Sequence, residues 1–219
     1  MSTNLESAPR RRSQAERSSE TRARLLDATI ELLVEVGYPG TSTTEVVRRA
    51  GLSRGAQVHH FPRKLDLVIA AVEHLARRHS EVLLAKMEAL PEDGTRTQVA
   101  LASLWDVYRS PLFIAAQELR VAARTDPEVR EAHRRMTRTV LRPTMERFCA
   151  ALAGSRSGDR ALLDQLEACF VFVGGLADAR QDRDSEWCDQ QIRLFSALMT
   201  PIIEDGRASE GLGTASSTL

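Results

Sequence analysis

Residues 41–64, TSTTEVVRRAGLSRGAQVHHFPRK, leave the backbone few choices. Ser42-Thr43-Thr44-Glu45 has the spacing of a capping box, in which Ser42 accepts from the third amide and Glu45 reaches back. The helix it opens runs to about Ala50 and turns Val46, Val47 and Ala50 inward. Gly51 permits a tight turn. Leu52 plugs the angle, and Ser53 caps a third helix over residues 54–60. Pro62 then stands where another helix can begin. A short exposed helix braced by a partner across a glycine turn is a helix-turn-helix, built to enter the major groove of double-stranded DNA.

The residue types in that segment suit nucleic acid. Arg54 can fork onto guanine O6 and N7 or onto a phosphate. Gly55 and Ala56 are small enough for close backbone approach, and His59 and His60 add polar tips. Thr43, with Thr44 beside it, puts hydroxyls and free amides at a helix N-terminus, where the dipole favours phosphate. Lys64 can do the same at the start of the next helix.

The rest of the chain reads as helices. Leu, Ala and Val dominate the apolar residues, and no segment alternates long enough to make a convincing strand. The expected class is all-α, with about nine helices. A first helix begins near Ser18 or Ser19 and stops at Gly37, with Leu25, Leu26, Ala28, Leu32, Leu33 and Val36 on one face. Further helices are predicted over 62–90, 96–109, 111–124, 127–153, 159–180 and 185–205, bordered by Pro111, Pro127, Gly154 with Gly158, and residues 182–184. The expected organisation is an arm over 1–17, a DNA-binding domain over 18–64, a ligand-binding and dimerisation domain over 65–205, and a disordered tail over 206–219. The arm, with Arg10, Arg11, Arg12 and Arg17, reads either as a solvated tail or as an extension that follows phosphates or a minor groove.

Charge supports a division of labour. Residues 1–80 hold 13 basic and 9 acidic side chains; residues 81–219 hold 17 and 21. Cys149, Cys169 and Cys188 form no CxxC pair and read as reduced, buried thiols of a cytoplasmic protein. No catalytic arrangement or metal site is expected. His74 and His79 are five residues apart and share no helical face, and His133 has no partner at i±4. There is neither a GxSxG elbow nor a phosphate-cradling glycine loop, and no cofactor is expected. A helical-bundle enzyme or a protein-interaction module are the alternatives, but neither has a use for Arg54, Thr43 and Lys64 together.

Residues 20–67 resemble the DNA-binding domain of the TetR family of bacterial regulators. The resemblance rests on a first helix ending in Gly37-Tyr38, then residues 41–44, Ala50-Gly51-Leu52-Ser53-Arg54-Gly55, His60-Phe61 and Lys64, in that order and spacing. It implies DNA contacts from Thr43, Ser53, Arg54, Gly55, Ala56, His59, His60 and Lys64. One pair departs from the pattern: Gln57-Val58 stands where the family usually has Leu-Tyr. Val58 cannot donate a hydrogen bond, but it can touch a thymine methyl. Gln57 lies four residues before Phe61 and is either a half-buried brace or, if the helix rolls, a reader of adenine.

The resemblance also implies homodimerisation and a small-molecule inducer bound within the rear helices. Leu162, Leu166, Phe170, Val173 and Leu176, followed by Ile192, Phe195, Leu198 and Met199, form broad stripes that would pair with their symmetry mates. Gly174 and Gly175 would allow close helix approach. Candidates for a pocket lining are Trp105, Tyr108, Phe113, Met136, Phe148 and Phe170, with Gln117, Glu118 and Arg120 as polar anchors.

Overall fold

The computed structural model describes residues 13–204; the arginines at 10–12 and the tail over 206–219 lie outside the described residues. Among the described residues the chain is helical throughout and contains no strand. Ten α-helices follow in order: α1 (Gln14–Gly40), α2 (Thr43–Ala50), α3 (Arg54–His60), α4 (Lys64–Glu88), α5 (Arg96–Tyr108), α6 (Pro111–Ala122), α7 (Pro127–Met136), α8 (Arg142–Ala153), α9 (Arg160–Ala179) and α10 (Ser185–Ile203). The chain divides into two compact units, Met1–Ala71 and Val72–Leu219, and the division falls inside α4.

In the first unit, α1 begins earlier than expected. Ser13 Oγ accepts from Glu16 N at 3.1 Å, and the Glu16 carboxylate accepts from Ser13 N at 2.6 Å. This reciprocal capping box draws Arg17 into the helix rather than leaving it in an arm. At the other end Gly37 adopts φ 69°, open to glycine, and breaks the helix before Pro39. Leu25, Leu26, Leu32, Val46, Ala50, Phe61, Leu67 and Ala71 form the core of this unit.

The second unit is built on α5, which packs against α9 and α10 and contacts α8. Phe148, Leu162, Leu166, Cys169, Val173 and Cys188 are fully or almost fully buried there. Side-chain caps start most of its helices. Asp126 accepts from the Glu128 and Val129 amides, Asp159 from Leu162, and Asp184 from Trp187. The expected helix over 127–153 is instead α7, a π-helical turn over Thr137–Leu141, and α8, with helical dihedral angles through both junctions. Pro143 explains the turn. It has no N–H to give Thr139, and its ring would collide with that carbonyl in an α-helix. The chain takes up the extra residue in a π bond from Arg142 N to Thr137 O. Three threonines bond back to carbonyls one turn earlier: Thr137 to His133, Thr139 to Arg135, and Thr144 to Val140, at 2.8–3.0 Å.

The stripes expected to pair between subunits are mostly turned into this core. Leu162, Leu166, Phe170, Val173, Leu176, Ile192 and Met199 are buried within the unit. The exposed apolar residues lie beside them: Val171, Phe172, Leu194 and Leu198. A single helix cannot say which of its broad apolar positions face its own core. The neighbouring helices decide it.

The turn at Gly51 is tight and left-handed. Gly51 has φ 62° and ψ 41°, the left-handed region, and an added Cβ would lie 3.1 Å from an Arg24 guanidinium nitrogen. Gly51→Ala is expected to lower stability by about 1–2 kcal/mol, read as a lower urea midpoint of the full chain. An unchanged midpoint would show that the turn carries no such constraint.

Candidate functional site

Helix α3 is only seven residues long, and its burial pattern divides it sharply. Arg54, Gly55, Val58 and His59 are exposed, Ala56 and His60 half-buried, and Gln57 buried. The exposed four lie at i, i+1, i+4 and i+5, hence on one face. Ser53 Oγ accepts from Ala56 N at 3.2 Å and fixes the start of the helix. Arg54 forms no hydrogen bond or ion pair with any described residue, so its guanidinium is uncommitted. Val58 is 47% exposed, an apolar side chain held towards solvent on an otherwise polar face.

Gln57 is corrected from a DNA contact to a brace. It is 2% exposed, and its Nε2 donates to the Phe61 carbonyl. Phe61 is itself buried in the core, beneath the Arg22 guanidinium. A buried amide must find a partner, and the carbonyl at the end of α3 is the nearest one that keeps the helix seated.

Thr43 is half-buried and Thr44 exposed in the first turn of α2. Ser42 Oγ accepts from Glu45 N at 3.2 Å, but the return half of the expected capping box is replaced. The Glu45 carboxylate takes two bonds from Arg48 instead. That pairing lowers the Glu45 pKa. Lys64 is also more constrained than its position implies. Its ammonium donates to Tyr38 O and lies 4.3 Å from the centre of the Tyr38 ring. Burial pushes its pKa below the ordinary lysine value. Lys64 therefore ties the start of α4 to the last turn of α1, beyond the break at Gly37, and a phosphate contact would have to compete with that bond.

Sequence reasoning missed Arg24. Its guanidinium donates to both Ala50 O and Gly51 O, the carbonyls left without helical partners at the end of α2. Arg49 similarly ties α2 to α1 through Glu35 at 2.7 Å. Both arginines carry only their charge in the sequence; their targets are set by packing.

The second unit contains a cavity of about 580 Å³. It is lined by α4 (Val72, Ala76, His79, Ser80, Leu83), α5 (Leu104, Val107, Tyr108) and α6 (Leu112, Phe113, Gln117, Arg120). The α7–α8 segment (His133, Met136, Leu141, Thr144, Met145) and α9 (Phe170, Val171, Gly174, Gly175, Asp178) complete it. Five of the predicted residues, Tyr108, Phe113, Gln117, Met136 and Phe170, meet there, together with Arg120. Trp105 does not. Its indole N–H donates to Asp189 at 2.8 Å and holds it between α5 and α10. Phe148 is also corrected to core: it is fully buried, edge-on to Phe170 at 5.3 Å. Glu118 is not among the lining residues. At Gly174 α9 passes close to Tyr108: a Cβ there would lie 3.3 Å from that ring, a tight contact.

The sequence reading set His79 and His133 aside for want of a helical partner. They come from different helices and both line the cavity. Burial, then the nearby charge of Arg78, lowers the His79 pKa; burial, then Arg120, lowers that of His133. Burial also pushes the Tyr108 hydroxyl up to about 12.

Residues 25–71 match the family model described as "Bacterial regulatory proteins, tetR family". A curated relative, the HTH-type transcriptional regulator CymR of Pseudomonas putida, is 38% identical over 128 residues. The match covers 58% of this chain and 63% of that protein, so the chain spans less than two thirds of that relative. A TetR-family transcriptional regulator from Streptomyces coelicolor has the same fold, with TM-score 0.66 and 22% identity over 84% of this chain and 96% of that one. A transcriptional regulator from Saccharomonospora viridis, solved in complex with choline, superposes with TM-score 0.63 and 15% identity, over 83% and 95% of the two chains. Among the described residues no helix is long and apolar enough to cross a membrane, and no cluster of three metal-ligating side chains occurs.

The two cavity histidines make stability depend on pH. Unfolded, each takes up a proton near its ordinary value of 6.5; folded, it does so only at lower pH. Their contribution is fully present above about pH 6.5 and is lost as pH falls towards the folded values. The expected outcome is a falling urea midpoint between about pH 7.5 and 5.5 that is flatter in the H79Q/H133Q double variant. Equal slopes would show that neither imidazole is held neutral by the fold.

Proposed function

We propose that this chain is a ligand-responsive transcriptional regulator of the TetR family of bacterial regulatory proteins, whose family model residues 25–71 match. In this reading a cytoplasmic homodimer binds an operator and releases it when a small molecule fills the cavity. The observation that carries the reading is the exposed row of Arg54, Gly55, Val58 and His59, with Arg54 uncommitted, on a capped helix braced by α2. Such a row is short enough to enter a major groove. Arg54 then reads guanine or grips a phosphate, Val58 meets a thymine methyl, and the α2 amides beside Thr43 and Thr44 take a phosphate.

Two copies bind together when their α3 helices lie about 34–36 Å apart, one turn of DNA. The exposed face of α9 and α10 supports dimerisation. Ala168, Val171, Phe172 and Gly175 follow one another on α9, and Leu194, Ala197 and Leu198 on α10. Phe172 stacks on Phe195 at 3.9 Å and joins the two stripes. Four helices, two from each copy, would cover an apolar surface that water otherwise wets.

Helix α4 supplies the means of release. Its Leu67 and Ala71 belong to the first core, and its His79, Ser80 and Leu83 line the cavity. A ligand that favours one position of α4 acts on the frame that holds α3. It lowers affinity by spoiling simultaneous engagement of both half-sites. Repression follows where the operator overlaps a promoter.

Gel shifts with DNA flanking the gene test the reading. Arg54→Ala is expected to weaken specific binding by about 1–3 kcal/mol and leave the dimer intact. Wild-type affinity should fall steeply with salt as counterions are released. Unchanged affinity in the variant would remove Arg54 from the interface, and a flat salt response would argue against DNA as the partner. Leu198→Glu should yield a monomer by sedimentation and a large loss of operator affinity. A dimeric variant would place the interface elsewhere.

A further inference from the structure

The polar groups around the cavity are unequally committed, and the imbalance points to the charge of the ligand. Asp178 is the one carboxylate among the lining residues, and it is already engaged. Gln117 Nε2 donates to one of its oxygens, and Arg120 lies 3.8 Å from the other. In charge, Asp178 and Arg120 are set against each other, and neither is left without a counter-charge. The donors, by contrast, are in surplus. Arg120 is 61% exposed and makes a single long pairing, so most of its five N–H groups are open. The Tyr108 hydroxyl and the imidazoles of His79 and His133 have no hydrogen-bond partner among the described residues. Thr144 Oγ1 donates to Val140 O, so the Ser80 hydroxyl, 2.8 Å away, donates to Thr144 Oγ1 and is not among the open donors.

The surroundings of both imidazoles are positive. Arg78 acts on His79 and Arg120 on His133, with no acidic group set against either. The remaining walls are apolar and partly aromatic, with Tyr108 and Phe113 in contact at 5.2 Å. A cation would meet Arg120 and would find Asp178 already paired with it. A neutral hydrocarbon would leave the donors dry and unpaired, which costs free energy. An anion with two acceptor oxygens meets both conditions.

We propose that the cavity takes a mostly apolar organic acid, its carboxylate held by Arg120 and His133 and its body packed against Tyr108, Phe113 and Phe170. The proposal rests on the reading of this cavity as the effector site, and it adds the chemical class. Arg120 turns from Asp178 towards the ligand, and Gln117 keeps Asp178 hydrogen-bonded. A carboxylate accepting charge-assisted bonds is bound more strongly than its neutral isostere.

The test is direct binding to the full-length protein without DNA, by calorimetry, with three isosteric probes: 2-naphthylacetate, 2-naphthylacetamide and 2-(2-naphthyl)ethylammonium. The acetate should bind about tenfold or more tighter than the amide, and the ammonium most weakly. In Arg120→Gln the preference for acetate over amide should shrink to about twofold, with amide affinity retained. Arg120 is exposed, so the variant keeps its fold, and a merely structural role would weaken both probes alike. Equal or tighter binding of the amide or the ammonium, an unchanged preference in the variant, or no binding of any probe at millimolar concentration overturns the proposal. Operator binding, measured separately by gel shift, fails only if the regulator reading fails, so the two outcomes are distinguishable.

Discussion

Helix α2 ends in carbonyls that its own backbone cannot satisfy, and the Arg24 guanidinium from α1 satisfies two of them. That contact sits on the left-handed turn at Gly51 and sets the angle at which α3 leaves α2. Arg49 adds an ion pair to Glu35 on the same pair of helices. Below the turn, Val46, Ala50 and Phe61 close the core. The exposed face of α3 depends on this arrangement, because a seven-residue helix is too short to hold its conformation alone. Gln57 completes it from beneath by occupying the terminal carbonyl through Phe61.

The second unit solves a different problem, keeping a cavity open inside a helical core. Its walls come from five helical segments, and none supplies more than a few of the lining residues. Pro143 contributes by forcing the π turn after α7. That turn shifts the register between His133 and Met136 on one side and Thr144 and Met145 on the other. Thr139 and Thr144, on either side of the proline, each bond back to a carbonyl one turn earlier, Arg135 O and Val140 O. Gly174 lets α9 run close to Tyr108, and the aromatic wall is continuous as a result.

Much of the first unit was legible because its signals are local. Ser42, Gly51, Ser53 and Pro62 act within a few residues of themselves, so their spacing predicts the helix borders directly. The earlier start of α1 has a local signal as well: Ser13 and Glu16 have the same S-x-x-E spacing. The second unit was legible as helices but not as a site. Trp105 and Phe148 have the right chemistry for a pocket wall, yet Asp189 and Phe170 hold them in the core. His79 shares no helical face with His74, and His133 has no partner at i±4, yet both line one cavity.

The amino-acid sequence by itself determined the all-helical class, the borders set by caps, glycines and prolines, and the identity of the α3 face. These depend on backbone preferences and on interactions between near neighbours. Tertiary structure alone decided that Gln57 is a brace and that Lys64 is tied to Tyr38. It also decided which apolar stripes of α9 and α10 stay exposed, and which polar groups surround the cavity. Each of those outcomes is set by partners twenty or more residues away or by the seating of a helix in a core, and side-chain periodicity carries no information about either.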